Sequence, residues 1–267
     1  MAEELSFTSI DGLAFAAARG RLSDIPRDTK MFVRDLGPFL EYLLLAKSGL
    51  LPLPSQAPWL SLNGTADLHA ALSHRRHLWV CPKTRRTGLF RTFLTPTVSS
   101  ESSFTEFCVA AQFAAVDAGF PRAIAAQLVG AIGEMEGNIH EHSKAANSGV
   151  LVFQATTGTF EFVVADRGVG VLASLNGCPA YAALADHGEA LRLTLTDGVT
   201  RYGDTANRGH GFRSLFTGLA NLNGYVRFRS GDHALTIEGD GPTIISAKLA
   251  KKTPTNGLFA SVRCHIF

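Results

Sequence analysis

The chain has 267 residues, enough for one large domain or two small ones, each with a core of its own. Hydrophobic residues make up 46% and charged residues 18%, the balance of a globular protein. The net charge of +2 supplies no global field for nucleic acid or a membrane surface.

Four cysteines, Cys81, Cys108, Cys178 and Cys264, form no CxxC pair and no zinc spacing with histidine, so free thiols in a reducing cytosol are expected. The opening MAEELSFTSIDG lacks the basic start and apolar stretch of a signal peptide. The greasiest stretch, 39–53, is interrupted by Glu41, Lys47 and Pro52 and is too short to span a bilayer. A cytoplasmic protein with no membrane partner is expected.

Asp28 is expected to cap a helix running to about Ser48, with Phe32, Leu36, Phe39, Leu43 and Ala46 as its apolar stripe. Pro38 should kink or break it, and Gly49 should end it. Residues 77–81, HLWVC, read as a short buried strand. Residues 92–103, TFLTPTVSSESS, are hydroxyl-rich with no apolar period and read as a linker. They divide an N-terminal region, 1–95, with a possible partner-binding role, from a C-terminal domain, 100–267.

In that domain a helix is expected over about 104–118, ended by Gly119, and a second from Pro121 to about Ser143. Strands 149–155 and 159–165 follow, separated by a turn at 156–158. A glycine-rich irregular stretch covers 168–208, and a helix starts near Gly211. Segments 225–230, 234–238, 243–249 and 258–266 read as strands. This order predicts an α+β fold: a two-layer α/β sandwich with helices on one face of a mixed sheet, plus a smaller N-terminal α/β region.

The second helix carries AQLVGAIGEMEGNIHEHS. Leu128, Ile132, Met135 and Ile139 form one apolar stripe at ~100° per residue. Glu134, Asn138 and His142 form a second, displaced by roughly 110°. A carboxylate can polarise a hydroxyl or water, and an amide oxygen suits Mg²⁺. Gly130, Gly133 and Gly137 each cost ~1 kcal/mol against alanine in a helix, and small residues there suggest close approach by a backbone or ligand. His140 and His142 point about 200° apart, so they cannot share one ion from one face.

Two glycine loops follow. In VVADRGVGV a strand ends at Ala165, before Asp166, Gly168 and Gly170; in NRGHGFRSLF, Gly209 and Gly211 open a helix. Glycines before a helix let the backbone approach an anion at the free N–H groups. Gly168-x-Gly170-x-x-Ala173 also matches the dinucleotide fingerprint, but that pattern needs a helix directly after it, and Asn176, Gly177 and Pro179 argue against one.

In order and spacing the three motifs resemble the N-box and the two glycine boxes of the GHKL superfamily of ATPases, over about 104–267. Glu134-x-x-x-Asn138-x-x-x-His142 is most similar to the anti-sigma-factor serine kinases. The resemblance implies a Bergerat-type fold binding ATP and Mg²⁺. Glu134 would be the general base and Asn138 would hold the metal. Asp166 would accept from the adenine amino group, with Gly168 and Gly170 shaping that pocket. Arg208, Gly209, His210, Gly211 and Phe212 would form the phosphate cradle, and 171–208 the mobile lid. Arg201 and Arg208, by charge and place, would reach the γ-phosphate. Glu141 stands where the family often has a basic residue, and Ile139 where it has alanine. The family's late Gly-Thr pair has two candidate replacements, Gly241-Pro242-Thr243 and Gly257-Leu258.

The function expected is phosphoryl transfer from Mg-ATP to a protein partner; the alternative is an ATP-gated switch with slow hydrolysis. Histidine kinases carry a phosphoacceptor histidine followed by an acid on a helical hairpin ahead of these motifs; no such helix is visible before the second helix, so autophosphorylation is not expected. A homodimer is possible. Arg75, Arg76, Lys83, Arg85, Arg86 and Arg91, with Trp79 and Phe90 interleaved, form an acid-free stretch over 75–91 that nucleic acid would fit, although a solvated basic face is the more ordinary reading.

Overall fold

A computed structural model describes residues 2–24, 30–62, 64–74, 76–195, 223–239 and 247–266. The chain divides into two compact units, Met1–Arg75 and Arg76–Phe267. The division therefore falls before the stretch expected to be a linker.

The first unit alternates strands and helices: β1 (Ala2–Glu4), α1 (Phe7–Ala18), β2 (Lys30–Phe32), α2 (Leu36–Lys47), β3 (Leu60–Ser61) and α3 (Ala66–Ser73). The strands are parallel, in the order β1-β2-β3, as helical crossovers require. Ser6 and Ser9 cap α1 reciprocally. The helix expected from Asp28 is shorter: Lys30–Phe32 is a strand, and α2 starts after Asp35. Asp28 itself lies outside the described residues. Pro38 sits in the first turn of α2, where helical N–H groups lack partners anyway, so it breaks nothing.

The second unit contains β4 (Leu78–Val80), β5 (Thr87–Arg91), α4 (Val98–Asp117), α5 (Arg122–His142), β6 (Val150–Thr156), β7 (Thr159–Ala165), α6 (Gly170–Leu175), α7 (His187–Leu193), β8 (Asn223–Gly239) and β9 (Lys248–His265). Its six described strands lie in the order β4-β5-β6-β7-β9-β8. Every pairing is antiparallel, where a mixed sheet was expected. The α+β class and the helix-on-sheet layering are as expected.

The hydroxyl-rich stretch is largely the start of α4. The Thr97 side chain accepts from the Ser100 N–H, and Ser100 Oγ accepts from the Thr97 N–H. Serine and threonine serve helix caps as well as loops, and here they cap. β4 and β5 precede that cap and complete the sheet, which is why the unit begins well before residue 100.

Alternation divides the sheet into two faces. Phe90, Leu151, Val164, Ala260 and Phe228 share one row; Phe153, Phe162, Val262 and Val226 share the next. These join Phe107, Ala111, Leu128, Ile132 and Met135 of α4 and α5 in one core. Phe107 meets Phe153 with ring centroids 5.3 Å apart. The opposite face carries Arg91, Glu161, Arg227, Arg229 and Arg263.

β7 ends at Ala165, but β8 and β9 continue as a two-stranded arm beyond shifts of register around Ser230–His233. α6 and α7 pack on this arm, and Leu191, Leu195, Leu235 and Ile237 belong to the core. Residues 171–195, expected as part of a mobile lid, are thus two packed helices and their connection, with Leu175, Cys178 and Ala190 also buried. Residues 196–208 lie outside the described residues. No helix among the described residues is long and apolar enough to cross a membrane.

Candidate functional site

Leu128, Ile132, Met135 and Ile139 of α5 are all buried, so the apolar stripe lies against the sheet as its spacing predicts. Glu134 is exposed and Asn138 half-buried; neither side chain makes a hydrogen bond or ion pair among the described residues. His142, the third member of the column, lies 4.0 Å from the carboxylate of the exposed Glu141. On another flank of the helix, His140 and Glu136 pair at 2.9 Å. The two histidines therefore have separate carboxylate partners. Among the described residues no group of three His, Cys, Asp or Glu side chains is placed to hold a metal ion.

Gly130, Gly133 and Gly137 were expected to admit a close neighbour. A Cβ on any of them would meet nothing within 4 Å. No described backbone approaches this face, and the glycines leave open space beside Glu134 and Asn138.

The loop after β7 is held much more tightly. Asp166 is 5% exposed, and its N–H donates to the Leu258 carbonyl at 2.9 Å, extending the β7–β9 ladder by one residue. Its carboxylate accepts the Gly168 N–H at 2.7 Å. Burial raises the Asp166 pKa, while the N–H groups of Gly168 and Leu258 pull it back down.

Gly168 lies flat on the last turn of α5. A Cβ there would collide with the Ser143 backbone, and the adjacent Val169 N–H donates to the Ser143 carbonyl at 2.9 Å. Gly170 has φ +76°, and its absent Cβ would stand 2.7 Å from Ser230 Oγ. Ser230 Oγ accepts the Val171 N–H at 3.0 Å and donates to the Gly257 carbonyl at 2.8 Å. Gly257 has φ +74° and lies against Asp166, where a Cβ would come within 2.8 Å of Oδ1. Each of these glycines admits a neighbour that a side chain would exclude.

The structure thus joins Asp166, Gly168 and Gly170 to the C-terminal end of the Glu134–Asn138 helix and to the bulged part of β9. Of the two candidates for the late glycine pair, Gly257-Leu258 lies beside Asp166, and Gly241-Pro242-Thr243 lies outside the described residues. So do Arg201, Arg208, Gly209, His210, Gly211 and Phe212. Ser230 and Ser143 were not singled out from the sequence. Ser230 is one serine in an alternating strand, and Ser143 contributes through its carbonyl, which any residue has.

A short helix, α6, does begin at Gly170, where Asn176, Gly177 and Pro179 argued against one. The dinucleotide fold nevertheless fails on topology. β7 is antiparallel to both neighbours, β6 and β9, and the fingerprint needs a parallel βαβ unit. Comparison of the chain with protein-family models and with curated proteins returned no match.

Proposed function

We propose that the second unit binds ATP with Mg²⁺ and serves as a regulatory protein kinase resembling the anti-sigma-factor serine kinases of the GHKL superfamily. Support comes mainly from one observation. The loop carrying a buried carboxylate, Asp166, has glycine at the points where it is pressed against α5 and β8, so carboxylate, glycine loop and the Glu134–Asn138 helix form one constellation. The antiparallel sheet with α4 and α5 on one face is compatible with the fold this reading requires.

The donor set fits such a ligand. Asp166 is an acceptor for an exocyclic amino group, and its burial makes that hydrogen bond count. Asn138 offers an oxygen to Mg²⁺ that no described protein group uses. Glu134 is free to take the proton of an incoming hydroxyl, from a partner's serine or from water. When bound, ATP supplies the phosphoryl group.

The test is calorimetric titration of the full chain with Mg-ATP, followed by incubation with γ-labelled ATP and candidate protein partners. Binding that is lost in Asp166→Asn, with label transfer lost in Glu134→Ala, is expected. Absence of binding, or equal binding by Asp166→Asn, refutes the reading. One observation favours slow turnover as a second reading: among the described residues the Glu134 side chain has no partner to orient it. In that case phosphate is released slowly without transfer, and the bound nucleotide controls partner binding.

A further inference from the structure

β4 lies at the edge of the large sheet, with β5 on one side and no strand among the described residues on the other. Arg91 N–H donates to the His77 carbonyl and Cys81 N–H to the Thr87 carbonyl, both at 2.8 Å. His77, Trp79 and Cys81 therefore turn their backbones toward β5. Leu78 and Val80 alternate with them and turn their N–H and C=O groups outward. Among the described residues neither has a hydrogen-bond partner for these outward groups. Their side chains pack on the core, so the edge is firmly held.

The charge around this edge has one sign. No Asp or Glu occurs between Asp67 and Glu101. Arg76 precedes β4, Lys83 and Arg85 follow it, and all three are exposed. These cations, Pro82 and the shortness of the strand discourage pairing with a second copy of the same edge. They favour a partner strand that is negative at both ends.

Nucleic acid fits less well. Base recognition on a basic surface uses free aromatic faces. Phe90 is 1% exposed, Trp79 is half-buried, and the His77 ring is stacked on Phe93 with centroids 3.8 Å apart.

We propose that the β4 edge is a docking site for an extended acidic segment of a protein partner, which adds a strand to the sheet. Leu78 and Val80 supply the main-chain hydrogen bonds, and Arg76, Lys83 and Arg85 hold the ends. At ~3.3 Å per residue, the distance from Arg76 to Lys83 suits a segment of about seven residues, β-branched in the middle and carboxylate-bearing at both ends.

The test uses the isotope-labelled full chain and the peptide Glu-Glu-Thr-Val-Thr-Glu-Glu. Amide exchange at Leu78 and Val80 is expected to slow at least tenfold at saturation. The exposed double variant Lys83→Glu/Arg85→Glu should bind at least tenfold more weakly. A peptide N-methylated at its central residues should fail to protect the two amides. The proposal is overturned by no binding at millimolar peptide, by binding without protection of Leu78 and Val80, by equal binding of the N-methylated peptide, or by tighter binding of single-stranded DNA of equal charge.

Discussion

Ser230 Oγ donates to the carbonyl oxygen of Gly257 at 2.8 Å and itself accepts the N–H of Val171 at 3.0 Å. One buried hydroxyl thus ties β8 to the bulge of β9 and to the first turn of α6. Ser230→Ala leaves a carbonyl and an N–H without their partner, which is expected to cost about 1–3 kcal/mol. Urea unfolding of the two proteins measures it. A loss well below this range would mean that water replaces the hydroxyl.

The glycines near the site fall into two groups with opposite expected effects. Gly168→Ala forces a methyl group into the Ser143 backbone, which cannot swing aside, and is expected to destabilise by about 1–3 kcal/mol. Gly133→Ala and Gly137→Ala meet nothing and should each stabilise the helix by about 1 kcal/mol. If a nucleotide occupies the space beside Glu134 and Asn138, these stabilised variants should bind Mg-ATP more weakly. Thermal unfolding with and without Mg-ATP reads both effects.

Burial raises the Asp166 pKa above its ordinary value of 3.8. Between the unfolded and the folded value the folded chain holds more protons, so stability falls as pH rises through that window. The loss is absent below the unfolded value and complete above the folded one. Asp166→Asn keeps an acceptor for the Gly168 N–H without a buried charge. It should flatten this part of the profile and gain stability at neutral pH while losing ATP affinity. Urea midpoints from pH 3 upward check the sign; wild type gaining on the variant as pH rises would reverse it.

Much of this geometry was legible in the sequence because local patterns determine it. The α5 stripe lies on the core as its spacing required, and the β6–β7 hairpin matches its two strands and glycine turn closely. Gly168 and Gly170 mark real constraints, although the sequence did not say which neighbours imposed them. The rest depended on contacts distant in sequence. Antiparallel rather than mixed pairing is decided by where β9 returns, which no local pattern encodes. β4 is the strand expected at 77–81, but its three residues are half-buried rather than buried, because it lies at the sheet edge. The Thr97–Ser100 cap resembled a loop because hydroxyls satisfy backbone groups in both settings.

The four cysteines are free thiols, as expected, and Cys81, Cys178 and Cys264 are buried. Cys108 is only partly buried, yet desolvation and then the nearby Glu136 carboxylate push its pKa up to about 12. Its thiolate is therefore scarce at pH 8. Alkylation of Cys108 in the folded protein should be at least about a hundredfold slower than in urea, as followed by mass spectrometry of the labelled peptide.

β9 follows every other strand of the large sheet in sequence but lies inside it, between β7 and β8. Val262 and Cys264 are completely shielded there. During synthesis, β4 to β7 emerge well before the strand that completes them, and β7 must wait with an open, hydrophobic edge. The pairing of Asp166 with Leu258 waits for the same event. Contacts so distant along the chain form slowly. A nascent chain halted before β9 would therefore have the loop of Asp166 without its anchor, and an adhesive edge that invites aggregation or a chaperone.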